Sequence, residues 1–238
     1  MIVKLPILGG ILLGGIATLD ATAVAQTLLS QPLVTASLLG WMWGQWELAL
    51  KVGVVLQILA ASTLPVGART PEDYAAGGVV GAGVALALGA HQTFNLERDA
   101  CAMAGVIAGM LSAVGGVPLV KWQRRVNEGL ARWCEAAIRN GDEGALATAH
   151  RAAVVLAFGV GVSYSAVCLG LGVWGLRPVV DHEWLRLSHA WSLAQPVWLG
   201  LGLAQLLNAF IQRRLTRAAL FGIALIAAWL TLMVGAPG

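Results

Sequence analysis

Five polar side chains stand in surroundings apolar enough to make them costly: Asp20, Gln26, Gln57, His91 and Gln92. An ionisable group inside a membrane-spanning helix costs on the order of 2.5–3.5 kcal/mol on insertion scales, so such residues mark substrate pathways by default. Asp20 lies between a first apolar run and a second, broken one, with Thr22, Gln26, Ser30 and Gln31 following. A carboxylate accepts hydrogen bonds and an amide both donates and accepts, which suits an uncharged polyhydroxy solute better than an ion. The competing reading of Asp20 is an interfacial helix cap beside Thr18 and Thr22. Gln57 sits among aliphatic residues of Val52–Ala61 that cannot satisfy its amide, so a solute or another helix must do so. His91 and Gln92 follow a fourth apolar run, where loop capping and solute contact carry equal weight. Gln195, Gln205 and Asn208 read equally well as hydrogen-bonding links between helices.

No catalytic set accompanies these groups. The chain has no serine nucleophile beside a histidine and an acid, no Walker loop and no H-E-x-x-H pair. Cys101, Cys134 and Cys168 lack C-x-x-C spacing and a histidine pattern, so they read as packed thiols. Gly170, Gly172 and Gly175 match the G-x-G-x-x-G spacing, but they end an apolar run with no ribose-binding acid beyond, so the match is fortuitous. No catalytic residue, metal or cofactor is expected.

The elements that must hold the polar residues follow from composition. Of 238 residues, 58% are hydrophobic and only 11% charged, against about a quarter charged in soluble domains. Ala102–Val120 and Ala152–Leu176 carry no charge at all, and a spanning helix needs roughly 20 such residues. The apolar runs are Ile7–Thr18, Val24–Leu39, Leu48–Leu64, Ala75–Ala90, Ala102–Val120, Ala152–Leu176, Ala190–Ile211 and Leu220–Val234. The first lacks a signal-peptide cleavage site and reads as a retained span. The second, interrupted by Gln26, Ser30, Gln31 and Pro32, reads as broken or re-entrant, which is tolerated where protein or a water-filled cavity surrounds it. The pattern predicts an all-α, polytopic membrane protein with about seven spanning helices.

Orientation comes from the 15 lysines and arginines, which concentrate in 121–151 (Lys121, Arg124, Arg125, Arg132, Arg139, Arg151) and 212–217 (Arg213, Arg214, Arg217). Both segments are expected in the cytoplasm. With Val24–Leu39 re-entrant, Lys4 also lies inside, and Trp41, Trp43, Trp46, Trp174 and Trp184 form a belt outside. The segment 68–74 fits less well, since Glu72 and Asp73 outweigh Arg69 there. Trp122, Val126, Leu130, Trp133 and Ala137 recur at helical steps, predicting an amphipathic surface helix that lies on anionic lipid or docks a soluble partner. Glu47 and Lys51, one turn apart, predict an ion pair. Gly10/Gly14, Gly77/Gly81 and Gly105/Gly109 have the spacing that lets membrane helices approach closely. The chain divides into 1–120, membrane helices bearing the candidate site; 121–151, the amphipathic loop; and 152–238, C-terminal membrane helices.

Four short motifs carry a resemblance. Asp20-x5-Gln26-x3-Ser30-Gln31-Pro32-Leu33-Val34 is followed by Leu39-Gly40-x3-Gly44, then Val52-Gly53-x2-Leu56-Gln57, then Pro65-Val66-Gly67-Ala68-x2-Pro71-x-Asp73. Over roughly the first 100 residues the chain resembles the IIC component of the mannose/fructose/sorbose family of the bacterial phosphotransferase system. The resemblance implies a sugar permease subunit in the bacterial inner membrane that pairs with a IID subunit, while soluble IIA and IIB proteins carry phosphate to a hexose-type sugar. Phosphoryl-carrying histidines would then belong to IIA and IIB, not to His91, His150, His182 or His189. Members often have arginine at the position of Gln31, aspartate at Gln45 and glutamate at Gln57, so three charges are replaced by amides. These replacements motivate the alternative of a IIC-like membrane anchor or regulatory subunit that does not transport. Expected partners are the sugar, IID, IIA/IIB and lipid, with room for a homo-oligomer and none for nucleic acid.

Overall fold

The computed structural model describes residues 4–22, 27–61, 70, 72–90, 94–210, 213, 215, 216, 218–223 and 226. Every regular element among them is helical: α1 (Lys4–Thr22), α2 (Pro32–Trp43), α3 (Trp46–Ala61), α4 (Tyr74–Gly89), α5 (Asn95–Arg139) and α6 (Ala145–Phe210). The last comprises two helices joined at Glu183, whose φ of −121° and ψ of 24° break the helical path. α5 and α6 are long and apolar enough to cross a bilayer, while α1 and α4 are shorter apolar helices. Gln26, His91 and Gln92 lie outside the described residues.

α4 is the centre of the fold, because after Tyr74 its sequence is glycine, alanine, valine and leucine all round and almost every residue is buried. A helix apolar on every face has no side to turn outward. It packs on α1, α2, α3, α5 and α6. Its contact with α5 depends on the four glycines whose spacing is visible in the sequence. A Cβ on Gly81 would come within 2.9 Å of the Gly105 carbonyl oxygen, and one on Gly109 within 2.8 Å of that of Gly77. Backbone thus lies directly on backbone, an approach only glycine allows. α1 crosses α6 in the same way, with a Cβ on Gly161 meeting the Gly14 carbonyl oxygen at 2.8 Å.

Helix ends are set by local chemistry. Pro32 opens α2, where a missing N–H is harmless. Gly44 closes it with φ of 65° and donates its N–H to the carbonyls of Gly40 and Trp41, a left-handed cap suited to glycine. α3 then returns antiparallel, with small residues Ala36, Gly40, Ala49 and Gly53 facing one another.

Several expectations are revised. Of the two readings of the second apolar run, broken and re-entrant, the described residues show a break at Thr27–Gln31, and α2 then runs back along α1 until Met42 meets Gly9. The start of α1 (Ile7, Gly10) lines a cavity with Trp43 and Trp174, whereas its end (Thr18, Thr22) lines a cleft with Arg124. The start of α1 therefore lies at the tryptophan end, opposite the arginine-rich end where it was expected. The amphipathic stretch after 121 is helical but continuous with α5, since nothing from Lys121 to Arg139 breaks a helix. At about 1.5 Å per residue the 45 residues of α5 run to about 68 Å, twice a hydrocarbon core of ~30 Å. Asn140 and Gly141, the latter at φ of 87°, end it and turn the chain into α6. The segment 177–187, between the apolar runs Ala152–Leu176 and Ala190–Ile211, is helical within α6 apart from the kink at Glu183. Glu47 and Lys51 do not pair with each other. Lys51 Nζ contacts Asp99 Oδ1 at 2.6 Å and Glu47 approaches Arg98 at 3.7 Å, so both tie α3 to α5.

Candidate functional site

Helix ends gather at one pole of the bundle. There the end of α1, the start of α2, the end of α3, the start of α4 and the middle of α5 enclose a cleft of about 260 Å³. Its polar lining is Thr18, Thr22, Ser30, Gln31, Glu72, Asp73, Gln123 and Arg124. Helix termini carry unsatisfied backbone groups, so convergent ends make a polar chamber in an otherwise apolar protein.

Asp20 builds the first wall. It is 5% exposed, and its carboxylate reaches across the break: Oδ1 accepts from the Thr27 N–H and from the Thr27 hydroxyl at 2.8 Å, and Oδ2 accepts from the Ser30 N–H at 2.9 Å. The clamp holds Leu28 at φ of 73°, a left-handed conformation that a branched aliphatic residue rarely adopts. It also sets Ser30 and Gln31 against the cleft. Asp20 thus acts on the cleft through the turn it holds.

Gln57 builds the second. Its Oε1 accepts from the Leu33 N–H at 3.2 Å, satisfying a first-turn amide of α2, and its Nε2 donates to Gln31 Oε1 at 2.8 Å. The partner that the sequence required for the Gln57 amide is therefore Gln31. The two amides occupy the positions where the resembled family often has glutamate and arginine, so two departures from that pattern form a single contact.

Asp73 builds the third. It caps α4, accepting from the Ala76 N–H at 3.1 Å, and donates its own N–H to the Ala113 carbonyl at 2.9 Å. Pro118 in α5 offers no N–H to the Val114 carbonyl, one residue beyond the Ala113 on which the loop before α4 is anchored. The Asp73 side chain packs on Gly116, where an added Cβ would lie 2.7 Å from its own.

Gln123 and Arg124 complete the lining from α5. Gln123 is 4% exposed and lines the cleft. Arg124 is exposed at the rim and reaches Thr70 Oγ1 at 3.4 Å. Sequence reasoning treated this stretch as an orientation signal and missed both. The pointer was the acidic pair Glu72 and Asp73, which fitted poorly as a free loop and in fact meets Gln123 and Arg124 in one cleft. Among the five candidates, Asp20 and Gln57 stand one hydrogen bond behind the lining. Helix α4 leads away from the cleft to Ala90, about 24 Å distant along its 16 residues.

Two larger cavities are chemically different. One of about 490 Å³ lies between α1 and α6, with Trp43 and Trp174 and with Arg177 as its charged group. The other, about 590 Å³, is an open groove between α5 and α6 lined chiefly by aliphatic residues. A polyhydroxy solute would leave most hydroxyls unpaired in either, at roughly 1–3 kcal/mol each. The smaller polar cleft is the candidate site. No group of three or more metal-ligating side chains occurs among the described residues.

Comparison with known proteins gives the following. The sequence profile of the family described as the PTS system sorbose-specific IIC component matches residues 7–236. One solved structure, described only as a membrane protein, is similar with a TM-score of 0.65 at 17% identity, covering 96% of each chain. A cryo-EM structure of the mannose transporter ManYZ in complex with a microcin is similar with a TM-score of 0.57 at 18% identity, again over 96% of each chain. At these identities the structures show a shared fold. No curated protein matches.

Proposed function

The chain belongs to the PTS sorbose-specific IIC component family, and from that membership we propose that it carries a hexose-type sugar through the cleft at the ends of α1 to α5. It is a permease subunit of a phosphoenolpyruvate-dependent sugar phosphotransferase system in the membrane. The proposal extends to its setting: the bacterial inner membrane, a IID subunit beside it, and IIA and IIB proteins that phosphorylate the sugar. It assigns the pathway to Asp20, Gln26 and Gln57 with His91 and Gln92, and adds Gln31, Gln123 and Arg124 as direct sugar contacts.

The observation that carries the reading is Gln123, a largely buried residue with an amide side chain that lines the polar cleft. A sugar hydroxyl, which both donates and accepts, matches an amide that can do the same. Uptake of labelled hexose in cells carrying the partner subunits tests this. Gln123→Leu removes a neutral bond and lowers uptake about three- to tenfold, and Arg124→Gln removes a charge-assisted one and lowers it more than tenfold. Full uptake in both variants, with normal membrane insertion, would rule the cleft out.

The competing reading, an anchor that no longer transports, finds support at Gln45, whose buried Oε1 has no hydrogen-bond partner among the described residues. Gln31 and Gln57 speak against it, because their amides bond to each other. Absence of uptake by the unmodified chain beside intact partner subunits would favour the anchor.

A further inference from the structure

The open groove between α5 and α6 plays no part in the sugar pathway. It runs along the outer face of the bundle between Leu119 and Trp122 of α5 and Val155, Gly159, Ser163 and Val167 of α6, with a volume of about 590 Å³. Val155 is 71% exposed, and a Cβ added to Gly159 would meet nothing within 4 Å. The groove is hollowed where glycine and serine stand in place of the valine carried by neighbouring turns. At its arginine-rich end Arg125 follows Trp122 by three residues and Arg151 precedes Val155 by four, so each shares a helical face with a lining residue. Both arginines are exposed and form no ion pair among the described residues, whereas Arg132 and Arg139 are tied to Glu128 and Glu135 on their own helix.

We propose that this groove binds an anionic two-chain phospholipid, one acyl chain lying along Gly159 and Ser163 and the headgroup phosphate between Arg125 and Arg151. An apolar trough at membrane depth takes an acyl chain, and paired cations at its interfacial end take a net negative headgroup. Trp122 marks the level of the interface, where amphipathic rings sit. A zwitterionic lipid brings its own cation and gains less from the two arginines.

The test is native mass spectrometry of the purified full chain in detergent, titrated with equal amounts of phosphatidylglycerol and phosphatidylcholine. Phosphatidylglycerol is retained in preference, and each of Arg125→Gln and Arg151→Gln reduces that preference about fivefold. Gly159→Phe starts from a Cβ that meets nothing within 4 Å and lays its ring along the trough, so it keeps the wild-type melting temperature and loses both lipids. Equal retention of the two lipids by the unmodified chain overturns the proposal, as does wild-type retention in the Gly159→Phe variant. Loss of a co-purifying membrane subunit in that variant, with lipid retention unchanged, would assign the groove to a protein partner instead.

Discussion

Replacing Asp20 separates a residue that shapes the cleft from one that touches the sugar. Its carboxylate accepts three hydrogen bonds from Thr27 and Ser30. At about 1.5 kcal/mol each, the low end for a charged acceptor, their loss in Asp20→Ala removes on the order of 4–5 kcal/mol from the closed turn. At about 1.4 kcal/mol per decade, the closed form falls roughly a thousandfold relative to open ones. Asp20→Asn keeps one oxygen for Thr27 but turns an NH2 toward the Ser30 N–H, so it loses about half as much, a ten- to hundredfold shift. Two measurements on the same variants decide the matter: labelled-hexose uptake with the partner subunits, and amide hydrogen exchange across Thr27–Gln31. The clamp predicts that the two move together, with alanine worse than asparagine in both. Unchanged exchange protection in Asp20→Ala would refute the clamp. Asparagine that abolishes uptake while the turn stays protected would make Asp20 a direct sugar ligand.

The Gln31–Gln57 contact, at 2.8 Å, predicts that Gln31→Arg and Gln57→Glu each lower uptake and thermal stability, while the double variant recovers both. A double-mutant cycle should give a coupling of about 1–3 kcal/mol, and additive losses would show that the side chains do not meet. Gly81→Val places a branched side chain where even Cβ lies 2.9 Å from the Gly105 carbonyl oxygen. It should cost about 3 kcal/mol or more in thermal unfolding measured in detergent, against little change for Gly175→Ala, which has nothing within 4 Å.

Much of the architecture was legible in the residues. Scarcity of charge gave a helical membrane protein, because a bilayer leaves backbone groups no other partner than their own helix. Glycine spacing located the α4–α5 contact, since a small-residue face records itself at every fourth position. The motif residues Asp20, Gln31 and Gln57 lie together at the pole that holds the polar cleft. The direction of α1 was misread because the sequence cannot say whether a broken run turns back or continues, and that depends on what the break is bonded to. Glu47 and Lys51 were misread for a related reason: a local rule pairs neighbours on one helix, but α5 brings Asp99 and Arg98 closer.

By itself, then, the sequence determined class, family and the polar residues near the break, all of which depend on local composition and spacing. Only the tertiary structure decided which of them meet. It joined Gln31 to Gln57 across 26 positions and brought Gln123, which reads as one more polar residue in a charged stretch, into a cleft with Glu72 and Asp73. The physical reason is that a hydrogen bond or a cavity wall forms between atoms a few ångströms apart in space. Helix packing around α4 sets that proximity, whatever the distance along the chain.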